Sequence, residues 1–64
     1  MNEKLKELRR EMGVKQKEVA DAIGVSLSAY GNYEQGIREP SNAVLVKLCK
    51  YYKVTADYLL GLED

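Results

Sequence analysis

The stretch QKEVADAIGVSLSAYGNYEQG, residues 16–36, holds two short helical patterns separated by a single turn. In the first, Val19, Ala20 and Ile23 share one face, and Gly24 ends the helix with a residue free to take positive φ. Lys15, just ahead of it, is a poor N-cap. In the second, Ser26 is a good N-cap, Tyr30 and Tyr33 share one side, and Gly36 closes the helix. Two helices meeting near a right angle through so tight a turn need a small residue at their crossing and a permissive one in the turn. Ala20 and Gly24 supply these. The second helix poses a question: Gly31 in its middle weakens it by ~1 kcal/mol relative to alanine. Its remaining face displays only Leu27, Ser28, Asn32 and Gln35.

Upstream, Asn2 reads as the cap of a first helix whose apolar positions Leu5, Leu8 and Met12 follow helical spacing, with Gly13 ending it and Val14 as a buried connector. Downstream, residues 37–40 form a loop closed by Pro40, and Ser41 caps a fourth helix with Leu45, Leu48, Cys49 and Tyr52 inward. Val54 anchors the next turn, Thr55 caps a short fifth helix, and Gly61 interrupts it. The alternation of a strand appears nowhere, and no segment repeats. The expected architecture is all-α: five short helices in one domain spanning residues 1–64.

Sixty-four residues make a small domain, which buries only ~60% of the surface of its unfolded chain. Cys49 is the one cysteine and there is no histidine, so neither an internal disulfide nor an ordinary zinc site is expected. No apolar run approaches the ~18 residues of a membrane span, and Met1 leads directly into charged sequence without a secretory signal. A cytoplasmic setting follows, with no cofactor and no evident small-molecule ligand. Ten basic residues balance ten acidic ones, which argues mildly against a nucleic-acid partner. The charge is nevertheless segregated: Lys47, Lys50 and Lys53 stand without acids, while Asp57, Glu63 and Asp64 stand without bases. One face can therefore be basic.

The ordered pattern Gln16-x-x-x-Ala20-x-x-x-Gly24-Val25-Ser26, then Tyr30-x-x-Tyr33-Glu34-x-Gly36 and Pro40-Ser41, resembles the lambda-repressor-like (Cro-type) helix-turn-helix family. Leu5-x-x-Leu8-Arg9, Lys47-Leu48-x-x-Tyr52-x-Val54 and Asp57-Tyr58-Leu59-Leu60-Gly61 extend the resemblance over essentially the whole chain. It implies that the second helix lies across the phosphate backbone of double-stranded DNA and the third enters the major groove. The small polar face of the third helix is then a groove-reading surface. The resemblance puts Leu27, Ser28 and Asn32 at base-reading positions. Asn32 suits an adenine edge, Ser28 a donor or an acceptor, and Leu27 a thymine methyl. Gly31 permits close approach. Gln16 matches a glutamine that bonds a phosphate; Arg38, Asn42, Lys15, Lys17 and Gln35 are further backbone candidates. Lys47, Lys50 and Lys53 read first as a solvated face and second as DNA contacts. Tyr33 reads as core, with its hydroxyl within reach of a phosphate.

The same resemblance implies an Arg9–Glu34 ion pair, largely buried, that fixes the recognition helix to the scaffold. Tyr30 replaces a branched aliphatic residue and Asn42 an apolar one, so the packing beneath the third helix differs in detail. The implied function is sequence-specific operator binding by a transcriptional regulator, a repressor acting on a palindromic operator, of bacterial or phage origin. Tyr51, Tyr58, Leu60 and Leu62 exceed what one terminal helix buries and suggest a homodimer interface; the alternative packs Leu59 and Leu60 inward. A rival reading is an antitoxin-like module whose main partner is another protein. No activated nucleophile or metal cluster can be assembled for an enzyme.

Overall fold

The computed structural model describes residues 1–62; the acidic pair Glu63 and Asp64 lies outside them. The described residues form α1 (Asn2–Met12), α2 (Gln16–Ile23), α3 (Leu27–Gln35), α4 (Asn42–Tyr52) and α5 (Ala56–Leu60). Hydroxyl side chains start three of these helices. Ser26 Oγ accepts the Ala29 N–H at 3.0 Å, Ser41 Oγ accepts that of Val44 at 3.3 Å, and Thr55 Oγ1 accepts that of Tyr58 at 3.0 Å. Each bond satisfies one of the N–H groups that a helix start leaves without a partner.

The helices close around Leu5, Val19, Ala20, Ile23, Tyr30, Leu48 and Leu59, all essentially inaccessible to solvent, with Tyr33 and Tyr52 at the margin. Packing runs α1 on α3, α2 on both α3 and α4, and α5 on α4. The turn between α2 and α3 depends on Gly24, whose φ of +74° is left-handed and strains any residue bearing a Cβ. Val25 N–H then donates to the Ala20 carbonyl at 3.0 Å. Ala20 itself is buried, as the crossing requires.

Several expectations are corrected. Asn2 is not a cap: Met1 holds that position and no side chain bonds there. The Met1 carbonyl instead accepts the Leu5 N–H at 3.2 Å, and the Met1 side chain packs against the core, which draws Asn2 into the helix. Met12 is exposed, because α1 ends before its last turn reaches the core. Val14, Leu45 and Cys49 lie at the core margin and are half-buried. Gly61 ends α5 instead of interrupting it. At the end of α4 stands Lys53 with φ 58° and ψ 47°, the only non-glycine at positive φ among the described residues.

Candidate nucleic-acid interface

At the start of α2, Gln16 is held by a buried carboxylate. Its Nε2 donates to Glu34 Oε1 at 3.0 Å, and the same carboxylate receives Arg9 through Nε at 2.6 Å and Nη2 at 3.1 Å. Arg9 also donates from Nη1 to the Val14 carbonyl at 3.2 Å, so one guanidinium binds α1, the α1–α2 connector and α3 together. The Glu34 side chain is buried, while that of Arg9 keeps 19% of its surface; the pair is buried on one side only. Burial alone would raise the Glu34 carboxyl, but the bonds from Arg9 and Gln16 and the facing Tyr30 hydroxyl outweigh it and hold its pKa below the ordinary value. The guanidinium is shifted up mainly by its bond to Glu34.

Behind this carboxylate, the Tyr30 and Tyr52 hydroxyls lie 2.6 Å apart and join α3 to α4. Burial pushes the Tyr52 phenol up to about 12. The bond gives the tyrosine that stands in place of an aliphatic residue a polar partner within the core. Cys49, on α4, is likewise shifted up by burial, toward an inert thiol.

Along the outer side of α3, Leu27, Ser28 and Gln35 are exposed, and Gly31 and Asn32 are half-buried. Tyr30, Tyr33 and Glu34 occupy the inner side. A Cβ on Gly31 would meet Gln16 Oε1 at 3.8 Å, so α3 and the start of α2 adjoin at this point. The structure thereby brings Gln16, Gly31 and the outer side of α3 into one surface. Lys15 and Lys17 are exposed beside it, and Lys17 forms a solvated ion pair with Asp21 at 3.1 Å, a contact worth a few tenths of a kcal/mol (~0.3–0.5) and readily exchanged.

Arg38 is exposed in the loop after α3 and lines a cleft of about 110 Å³ with Asn2, Tyr33, Glu39 and Pro40. Asn42, at the start of α4, is exposed. In the sequence Lys47 reads first as part of a solvated face and second as a DNA contact. In the fold its Nζ comes within 3.8 Å of the Cβ position at Gly24, so a cation covers the α2–α3 turn. No local signal marks this, because it depends on how α2 packs on α4.

At the opposite end of the chain, Leu59 is buried, whereas Leu60 and Leu62 are 46% and 73% exposed. Tyr51 and Tyr58 are half-buried, and Lys4 Nζ lies 4.5 Å above the Tyr58 ring. Among the described residues, no helix is long and apolar enough to cross a membrane and no group of side chains is arranged to hold a metal ion.

A family model described as helix-turn-helix matches residues 5–59, which include all of α2, the turn and α3. The chain belongs to the helix-turn-helix family. Within this family it is 38% identical to the HTH-type transcriptional regulator ImmR of Bacillus subtilis, over 100% of this chain and 50% of that protein. It is 41% identical to the cryptic phage CTXphi transcriptional repressor RstR of Vibrio cholerae, over 80% of this chain and 46% of that one. The chain thus spans about half the length of these two relatives. It covers 97% of the uncharacterized HTH-type transcriptional regulator YgzD of Bacillus subtilis, at 30% identity. The fold matches the P22 c2 repressor, whose crystal structure is a complex with synthetic operator 9T in the presence of Tl+. The TM-score is 0.88 and the identity 28%, over 91% of this chain and 88% of that chain.

Proposed function

We propose that the chain binds double-stranded DNA sequence-specifically, as the operator-reading domain of a transcriptional repressor. The fold match to a repressor crystallised on a synthetic operator carries this reading. On it, the exposed outer side of α3 enters the major groove, with Leu27, Ser28 and Asn32 toward base edges. Gln16 meets a phosphate at the start of α2, where the helix dipole also favours an anion. Glu34 already fixes the Gln16 carboxamide, and that group retains a second N–H for the phosphate. Lys15, Lys17, Gln35, Arg38 and Asn42 add contacts along the backbone. The activity is binding without catalysis, in a bacterial or phage setting within the cytoplasm.

The proposed functional unit is a homodimer joined near α5, with Leu60 and Leu62 as its apolar groups and Tyr51 and Tyr58 beside them. One recognition helix reads too few base pairs to distinguish a site among ~10⁶ or more competitors, and a two-fold pair doubles the reading. Selection of bound sequences from a random duplex pool tests the whole reading. The expected result is enrichment of a palindrome with half-sites about one helical turn apart, ~34 Å. A pool that emerges unenriched would overturn it.

A further inference from the structure

Four of the five glycines end helices with φ between +70° and +77°. Gly31 does not. It lies inside α3, outside the set at positive φ. A Cβ there would meet only Gln16 Oε1, at 3.8 Å, an ordinary van der Waals distance. Neither backbone conformation nor packing calls for glycine at this point, and alanine would favour the helix. The free fold is therefore less stable with this residue than without it.

We infer that Gly31 is left bare for the duplex: it is the point of closest approach of α3, and the missing Cβ sets how deeply the helix seats. The inference rests on the proposed DNA-binding function and deepens it. Leu27 and Gln35 lie one turn before and one turn after Gly31 on the same side of the helix, and both are exposed. They border a gap in the groove-facing surface. A methyl in that gap lifts the helix outward. Hydrogen bonds to base edges weaken steeply beyond ~3.2 Å, so a small lift is felt at Ser28 and Asn32. Attraction to phosphates falls off over ~8–10 Å and barely changes. Gly31 is thus a determinant of specificity that makes no side-chain contact.

The test compares wild type with Gly31→Ala in thermal unfolding of the free protein, and in binding to the selected palindrome and to a scrambled duplex. The expected variant melts about 4–8 °C higher, binds the selected site at least about tenfold more weakly, and binds the scrambled duplex within about twofold of wild type. Unchanged affinity for the selected site overturns the inference, as does an equal loss on both duplexes. A lower melting temperature also overturns it, by showing that the fold itself needs glycine. Wild-type protein that binds no duplex sinks the proposed function as well; wild type that binds while the variant binds equally sinks this inference alone.

Discussion

Glu34 accepts hydrogen bonds from α1 and α2 while belonging to α3, so a single carboxylate fixes the angle at which the outer side of α3 is presented. Replacing it with glutamine keeps the shape and removes the charge opposite Arg9. Glu34→Gln should lower stability by about 1–3 kcal/mol, against almost nothing for Glu18→Gln on the exposed side of α2; denaturant midpoints measure both. The acid limb gives a second reading. Because folding depresses the Glu34 pKa below 4.5, its stabilisation is present at neutral pH and is lost as pH falls through that value and on through the lower folded one. Glu34→Gln should flatten that limb. On the proposed function, reading and gripping separate at two other residues. Asn32→Ala should cost about 1–3 kcal/mol at one base pair and relax preference there, while Gln16→Ala should weaken all duplexes about equally. Affinities across a panel of single-base operator variants distinguish the two patterns. The Arg9–Glu34 pair was legible in the sequence through the ordered motif. The Gln16–Glu34 bond was not, since the motif assigned Gln16 to a phosphate and the bond depends on how α2 crosses α3.

At the scale of elements, helix starts with a hydroxyl cap were readable because Ser26, Ser41 and Thr55 satisfy the backbone three residues on, a purely local act. Asn2 carries the same local signal and does something else: its side chain comes within 3.2 Å of the Cβ position at Gly36. Core packing of Met1 overrode the local preference. The end of α4 shows the converse. Lys53 gives no sign of a left-handed residue, yet the chain must reverse there for Leu59 to reach the core. Lysine in that conformation is strained by ~1–2 kcal/mol, part of which glycine gives back through its freedom in the unfolded chain. Lys53→Gly should therefore stabilise the protein by about 0.5–1 kcal/mol, visible as a raised denaturant midpoint. A lowered midpoint would mean that the lysine side chain contributes more than its backbone costs.

Two expectations belong to the whole molecule. Duplex affinity should fall with salt, with a log–log slope of roughly −2 to −5 for a dimer, because each copy offers the backbone only a few cationic side chains, Lys15, Lys17 and Arg38. A titration in salt measures this, and a flat line would count against DNA as partner. Sedimentation tests the pairing: two protomers should occupy one palindrome, and Leu60→Ala/Leu62→Ala should bind as one. These leucines suit the test because both are exposed, so truncation leaves the core intact. In the sequence their surplus was visible and put Leu60 outward, with Leu59 and Leu60 both inward as the alternative; the fold buries Leu59 and leaves Leu60 exposed.

The described residues span 29 Å along their longest axis, less than the ~34 Å repeat of the duplex. On the proposed function, successive turns of one DNA face can each receive a copy without backbone collision. Laid lengthwise, neighbours would be separated by only about 5 Å, a distance that side chains span. Nuclease protection should then grow along an array of half-sites in steps of about ten base pairs, with the opposite face of the duplex left open to cleavage.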